Sequence, residues 1–424
     1  MGAGLSPYPY ALIFPQDEHE LLLLSRLAEV GVHVERQTEL LDFEAAPDGI
    51  VARLKRPDGV VDKCAAAYLA GCDGAHSTTR ETLKIGFEGG TYDHLFYVAD
   101  VEASGEVLNG EIHVGLDETD FLAVFPLKGE RRARLVGTVR NVAEHQQDLA
   151  WEDVSERVIG WMNIDVAHVN WFSTYHVHHR VADRFRKGRA FLLGDAAHIH
   201  SPVGGQGMNT GIGDAVNLAW KLAAVLQGRA DASLLDSYEP ERIAFARRLV
   251  ATTDRAFTGV TSSGAIAKFL RLELVPLLFP LLFRFKAARR FLFRTVSQTA
   301  VNYRGSPLSQ GKAGMVQSGD RLPWINGNTN TDNYTPLTSL NWQVHVYGEA
   351  TSELRAACAD QGWPLHAFSW RREMGRVGLR RNALYLVRPD GYIALTTADD
   401  RANAITSYLK AHGISPNQRS ASQP

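Results

Sequence analysis

The sequence predicts an α/β fold, interrupted by an inserted antiparallel sheet and followed by a second, smaller α/β unit. Three observations carry this. Two short apolar runs, Ala67–Gly71 and Ala190–Leu193, each end in a turn containing Asp and Gly that leads into a helical stretch. That is the texture of parallel strands buried on both faces. Between them, residues 92–182 read as strands without intervening long helices, and beyond residue 340 strands and helices alternate again.

The chain's 424 residues suggest two to three domains. Lys and Arg number 45 against 47 Asp and Glu, a formal net charge of −2. That balance argues against nucleic acid as a partner, which would call for a clustered basic excess. At 45% hydrophobic and 9% aromatic the composition is that of an ordinary globular protein with a large core. Three cysteines, Cys64, Cys72 and Cys358, form no CxxC pair, so neither a disulfide framework nor a zinc knuckle is expected. The expected home is a reducing compartment, the cytoplasm. The first Lys or Arg is Arg26, so no charged region of a secretory signal is read at the start. Met1–Ser6 fits only the short, loose pattern for myristoylation. The most apolar stretch, Leu274–Phe283, contains Pro276 and Pro280 and is too short to span a bilayer. It is read as a buried or interdomain helical segment, with membrane-surface contact as the lesser alternative.

Taken in order, residues 8–35 read as strand, helix, strand. Tyr10–Phe14 is an apolar run, and Glu18–Glu29 places Leu21, Leu24 and Leu27 on one helical stripe before Gly31. Val51–Arg56 and Val60–Ala66 flank Pro57-Asp58-Gly59, a hairpin signal. Strands follow at Phe96–Glu102, Phe121–Leu127, Ala133–Val139 and Trp171–His178. After Ala190–Leu193 a glycine-rich loop opens a helix to about Leu226, whose Ala215, Leu218, Ala219, Leu222, Ala223 and Leu226 are read as its docking face. Residues 234–300 are mostly helical in pattern, and Asn326–Asn333 is a loop or linker. The tail reads as strand Trp342–Tyr347, helix 351–361, strand 383–388, the turn Pro389-Asp390-Gly391, then strand and helix.

Two segments carry the chemistry. One is Tyr68–Arg80, containing Cys72-Asp73-Gly74, Ser77 and Arg80; the other runs from Gly188 through Gly194-Asp195-Ala196-Ala197-His198 to Pro202, Gly204, Gly205, Gln206, Gly207, Met208, Asn209 and Thr210. A strand C-terminus in such a sheet delivers Asp195 to a ligand crevice. The glycines at 204, 205 and 207 let backbone approach a flat ligand. The helix that follows points amides and its positive dipole end at the same place, favouring anionic character. His176, His178, His179, His198 and His200 suggest a metal, yet no carboxylate or cysteine spacing completes a site, and none is expected. His198 is read as structural before it is read as a catalytic base, and no catalytic side chain is assigned. Cys72 and Cys358 are read as packed small hydrophobes. Tyr97, Phe121, Phe125, Trp171 and Tyr175 are either pocket lining or simply core.

The paired segments Cys-Asp-Gly-(x2)-Ser-(x2)-Arg and Gly-Asp-Ala-Ala-His…Gly-Gly-Gln-Gly-Met-Asn resemble the group A FAD-dependent aromatic monooxygenases, the para-hydroxybenzoate and phenol hydroxylase family. The resemblance runs from about Pro9 to Leu308, and the tail is similar to that family's thioredoxin-like domain without CxxC. It implies an FAD/NAD(P)-binding Rossmann-like domain at 1–91 and 183–250, an antiparallel substrate-binding sheet at 92–182, a helical segment at 251–310 and a thioredoxin-like domain at 318–415. By the same resemblance Gly194 and Asp195 would meet the ribityl chain of FAD. Pro202 and Gly204–Asn209 would line the isoalloxazine, with amides near Gly207, Met208 and Asn209 facing negative charge on the reduced ring. Asp73, Gly74 and Arg80 belong to a motif linked to FAD and NAD(P)H, and Gln16 matches a glutamine that approaches FAD. The implied reaction is flavin reduction by NAD(P)H, O2 addition to give a C4a-hydroperoxide, and hydroxyl transfer to a phenolic or polycyclic aromatic. A small aromatic substrate and a homodimer are implied as partners.

One departure stands out. Family members open with a strand, Gly-x-Gly-x-x-Gly and a helix, whereas Gly2-Ala3-Gly4 has neither a preceding strand nor the third glycine. Matching Pro9 onward to the family places that unit ahead of residue 1, so the FAD domain is read as N-terminally truncated. The alternatives left open are a non-catalytic, truncated or degenerate homologue, and a related flavin oxygenase performing Baeyer–Villiger insertion or epoxidation.

Overall fold

The structure, a computed structural model, describes residues 2–116, 121–139, 150–153, 156–201, 205–261, 269–327, 332–399 and 402–415. Near the N-terminus β1 (Glu39–Ala46), β2 (Gly49–Lys55) and β3 (Val61–Ala66) form an antiparallel meander. Its second turn is the expected one: Gly59 adopts φ +84° and the Asp58 carboxylate accepts from the Val60 amide at 3.0 Å, the local bond that makes aspartate a turn residue. The meander buries Phe43, Ile50 and Ala52 in a cluster shared with Leu83 and Phe191.

A three-stranded sheet sets the chemistry in place. Here β4 (Leu69–Gly71) runs parallel to β11 (Ala190–Leu192), and β10 (Arg186–Lys187) pairs antiparallel on the far side. All of β11 is buried, as its apolar run predicts. The expectation that β4 is covered on both faces is corrected: it is an edge strand, and Ala70 is exposed. Five strands of a six-stranded sheet lie between β4 and β11 in sequence, and its sixth follows just after them. It comprises β5 (Phe87–Ser104), β6 (His113–Leu116), β7 (Phe121–Pro126), β8 (Arg132–Val139), β9 (Asp165–Ala182) and β12 (His198–Ile199), in the order β12-β9-β5-β8-β7-β6. Its inner face buries Tyr97, Ala99, Val101, Leu122, Val124 and Leu135.

Two long helices then cross the sheet, α4 (Gly207–Leu226) and α5 (Tyr238–Thr261); earlier come α1 (Gln16–Glu29), α2 (Thr78–Leu83) and α3 (Glu156–Trp161). Past two-residue strands β13 (Lys312–Ala313) and β14 (Val316–Gln317), the tail folds around β15 (Gln343–Tyr347), β16 (Leu365–Phe368), β17 (Leu384–Val387) and β18 (Ile393–Thr397). Their order is β16-β15-β17-β18, with β15 and β16 parallel and the other pairs antiparallel. Strand β16 lies where the sequence reading placed none. It contributes no fully buried residue, so its apolar signal is weak.

Four further readings are corrected. Tyr10–Phe14 and Val32–Val34 are not strands, although the helix between them forms. A strand persists only where a neighbour takes its amides and carbonyls, and neither run has one among the described residues; α1 itself buries no residue. The apolar 275–283 helix is not buried, since Leu277, Leu281 and Leu282 stand exposed. Cys72 is exposed rather than packed, while Cys358 lies in the tail's core. Most informative, the docking face read for α4 is only partly right: Leu218 is buried and Leu222 packs against the same core, but Ala215, Ala219 and Leu226 are exposed, and the other buried residues are Thr210, Asp214, Asn217, Lys221 and Ala224. No helix among the described residues is long and apolar enough to cross a membrane.

Candidate functional site

Because β4 and β11 are adjacent and parallel, the segments after them emerge side by side. The Leu193 amide donates to the Gly71 carbonyl at 3.0 Å, after which Gly194 turns the chain at φ +56° into the Gly194–Ala196 turn. Helix α4 crosses directly behind. A Cβ on Gly211 would stand 3.2 Å from the Gly194 Cα, so two glycines permit this backbone approach. Asp195 projects from the turn exposed, its carboxylate making no hydrogen bond to described residues. Helix α4 begins at Gly207 with no side-chain cap from Gln206, leaving the amides of its first turn for a ligand. Gly205, at φ +61°, has open space where a side chain would stand. Beside Gly207 lies the His200 imidazole, whose Nδ1 donates to the Ser201 carbonyl at 2.8 Å. Its Nε2 is buried without a partner among the described residues, and burial holds the ring below the ordinary imidazole range.

The sequence-predicted residues divide on inspection. Gly194 and Asp195 lie on the turn after β11, Gly205 just before α4, and Gly207, Met208 and Asn209 in its first turn, with Asp195, Gly205, Met208 and Asn209 exposed. Pro202 and Gly204 lie outside the described residues. Asp73 is turned into its own loop: it accepts from the Ser77 hydroxyl at 2.6 Å and from the Thr79 amide and hydroxyl at 2.8 Å each, fastening the start of α2. Gly74, at φ +74°, makes that turn. Arg80 is buried and donates to the Ala196 carbonyl at 3.0 Å and the Ala75 carbonyl at 2.8 Å, with its guanidinium 3.9 Å over the Phe87 ring. It ties the two motifs to each other. Gln206 turns away from the crevice, donating to the Thr295 carbonyl at 3.3 Å. Gln16 is exposed on α1 and donates to Glu20, with no contact to the crevice among the described residues. Tyr97 is core, Trp171 is exposed, and no group of three or more potential metal-binding side chains occurs among the described residues.

Sequence reasoning missed the groups beneath the crevice. Buried Asp214 accepts from the Gly194 amide at 3.0 Å, from His198 Nε2 at 2.7 Å and from Arg242 Nε at 2.5 Å. Burial would raise its carboxyl, yet Arg242 and His198 hold it below the ordinary range. His198 thus serves the fold, as read. Further along, Glu241 accepts from Arg388, Lys221, Asn217 and Ser306. Arg388 also reaches Asp390, at 2.6 Å and 3.0 Å. Burial pulls the Lys221 ammonium down to about 8 against the attraction of Glu241, whose own carboxyl is held well below its usual value by Arg388 and Lys221. The signal was present as a polar stripe, Thr210, Asp214, Asn217 and Lys221, at helical spacing. A cavity of about 860 Å³ adjoins the crevice at Asn209, walled by Ile212, Val216, Phe293 and Tyr392, large enough for a multi-ring ligand.

A strand-end carboxylate, a glycine turn and free helix amides on a parallel sheet define a flavin- or nucleotide-type crevice in an α/β enzyme. The comparisons give the family. Residues 3–253 match the FAD binding domain family, and the chain belongs to it. It is 32% identical over 453 residues to 6-methylpretetramide 4-monooxygenase of Streptomyces rimosus, covering 96% of this chain and 77% of that one. It is 37% identical over 273 residues to dialkyldecalin synthase of Streptomyces rugosporus, covering 63% of this chain and 58% of the relative. Among solved structures, the OxyS anhydrotetracycline hydroxylase of Streptomyces rimosus superposes with TM-score 0.77 at 29% identity, over 96% of this chain and 81% of that one. The residues present suit the flavin half of FAD: an exposed carboxylate without a hydrogen bond among the described residues, an open glycine and a helix start without a side-chain cap. For the dinucleotide half, the described residues contain no strand–Gly-x-Gly-x-x-Gly–helix unit.

Proposed function

We propose that this chain works as an FAD-dependent monooxygenase that hydroxylates a phenolic or polycyclic aromatic substrate with NAD(P)H and O2. The observation that carries the reading is the exposed Asp195 carboxylate, without a hydrogen bond among the described residues, on the Gly194–Ala196 turn that packs against α4, whose first turn has no side-chain cap. In it, Asp195 would hold the ribityl hydroxyls of FAD, and the amides of Gly207, Met208 and Asn209 would offer donors to the flavin ring. When bound, FAD supplies the redox and oxygen-activating chemistry. The protein's own residues bind and orient it: Gly205 and Gly207 admit the flat ring, and Arg80 and Asp214 fix the Gly194–Ala196 turn from two sides. The adjoining cavity supplies apolar walls, Ile212, Val216 and Phe293 among them, against which a ring system would pack.

The same reading extends to parts that the geometry supports less directly. We take 1–91 with 183–250 as the FAD domain, 92–182 as the substrate sheet, 251–310 as a helical connector and 318–415 as a thioredoxin-like unit. The β15–helix–β16 and β17–β18–helix order of the tail supports the last assignment. Free Cys64, Cys72 and Cys358 suit a cytoplasmic setting, and a homodimer is the expected assembly, which sedimentation would read. A second reading has its own support, because the relative matched at 37% identity is named as a decalin synthase: the fold would then shape a cyclisation with no net oxidation. The deciding experiment loads the purified chain with FAD and follows NAD(P)H and O2 with a panel of phenols and polycyclic phenols. Substrate-stimulated consumption of both, with a hydroxylated product, supports the monooxygenase. No consumption by a chain that retains flavin favours the cyclase.

A further inference from the structure

The tail carries no CxxC, and its Cys358 is buried in core, so it has no redox chemistry of its own. What it does have is an arginine thrust into the FAD domain. Arg388, at the end of β17, is fully buried and makes a bidentate bond to Glu241 of α5 at 2.7 Å and 3.0 Å. It is flanked by Asp390 from its own turn, and Trp220 of α4 donates to that Asp390 at 3.0 Å. Lys221 and Asn217 of α4 complete the cluster on Glu241 at 2.8 Å and 2.7 Å. The next residue of α5 is Arg242, which bonds Asp214, the Thr210 carbonyl and the Tyr303 hydroxyl at 2.5, 3.1 and 2.9 Å. The guanidinium of Arg388 stands 5.3 Å over that Tyr303 ring. Asp214 in turn takes the Gly194 amide, one residue from Asp195.

Buried charge-assisted contacts, joined through the chain neighbours Glu241 and Arg242 and across the Tyr303 ring, therefore link a side chain of the tail to the turn that carries Asp195. We propose that the tail is a positioning element for the flavin: Arg388, through Glu241, Arg242 and Asp214, holds α4 and the Gly194–Asp195 turn in the register that binds the cofactor. In this arrangement Arg388, Arg242 and Asp214 are positioning residues and touch no ligand themselves. Buried ionic groups of this kind favour one arrangement, because a displaced member leaves an uncompensated charge. The proposal rests on the reading of Asp195 as the flavin contact.

A double-mutant cycle on FAD affinity, read by gel filtration and visible absorbance or by quenching of flavin fluorescence, tests it. The four proteins are the full chain, Asp195→Ala, Arg388→Met and the double variant; Tyr303→Phe, a milder break in the same run, replaces Arg388→Met should the latter not fold. The relay predicts that Arg388→Met alone weakens FAD binding about tenfold while its far-ultraviolet circular dichroism matches the full chain. It also predicts that the penalty of Asp195→Ala shrinks by about fivefold or more in the Arg388→Met background. Penalties that multiply independently would overturn the relay and leave the Asp195 assignment standing. An Asp195→Ala variant that binds FAD as the full chain does would overturn the assignment, and the relay with it.

Discussion

At the scale of single residues, two aspartates that look alike in sequence have opposite environments. Asp73 spends both oxygens on Ser77 and Thr79, fastening its own loop, whereas Asp195 is exposed and makes no hydrogen bond among the described residues. A carboxylate already committed to three donors is a poor ligand hand; a free one at a strand end is a good one. Arg80 follows the same logic. Its guanidinium is consumed by two carbonyls and the face of Phe87, so it acts as the bolt between the two motif segments. Arg80→Met should therefore lower unfolding free energy by about 2–3 kcal/mol through the unpaired Ala196 and Ala75 carbonyls, measured by denaturant titration. A stability unchanged within error would show the guanidinium to be free of that duty. Asp73→Asn should cost about 1 kcal/mol of stability through the weakened α2 start.

At the scale of elements, α4 explains most of what the sequence did and did not disclose. Its start was legible because Gly207-Met208-Asn209 follows a strand and a glycine turn, a local pattern. Its docking face was not legible by counting apolar residues, since the buried stripe is Thr210, Asp214, Asn217 and Lys221. Those groups are buried only because partners arrive from far along the chain: Glu241, Arg242, Arg388 and His198. Within an 18-residue window the polar stripe is visible but reads as a solvent face, because the partners that bury it lie outside the window. The runs at Tyr10–Phe14 and Val32–Val34 failed for the related reason that strand propensity is realised only beside a partner. Gln206 and Gln16 carried motif positions yet face away from the crevice, which single residues in a motif cannot reveal.

The charged cluster between α4 and α5 sets an acid limit. Glu241 is held far below its ordinary range in the fold, so the cluster contributes stability above the unfolded-state glutamate pKa of about 4.3 and loses it as the pH falls below that. Lys221, drawn down to about 8, works the other way: between about 8 and the unfolded value near 10.4 the unfolded chain binds more protons, and stability rises with pH. Glu241→Gln should thus cost about 3–5 kcal/mol at pH 7 by stranding Arg388 and Lys221. It should also flatten the loss of stability below pH 4. Unfolding curves at pH 3, 5 and 7 check both; a parallel acid loss in the variant would place the titrating group elsewhere.

For the whole molecule, the consequence is that the tail is not an appendage. It supplies two of the charged members of a buried, balanced cluster, and removing residues 340–424 would leave Glu241 and Lys221 of the FAD domain facing the gap. We expect residues 1–339 alone to be poorly soluble and to unfold at markedly lower denaturant than the full chain; an equal midpoint would contradict the shared cluster. The exposed faces are equally informative. Leu21, Leu22 and Leu23 of α1 and the open edge of β4 show apolar and backbone groups that the described residues do not cover.

The central claim is that the crevice between Asp195 and the first turn of α4 holds the flavin, and one measurement meets it directly. The purified chain is mixed with FAD, separated from free cofactor, and its visible absorption recorded beside that of Asp195→Ala treated identically. A protein-bound flavin spectrum that Asp195→Ala retains about 10- to 100-fold more weakly, as loss of charge-assisted bonds predicts, is the expected result. A colourless chain, or a variant that holds FAD as firmly as the parent, would contradict it.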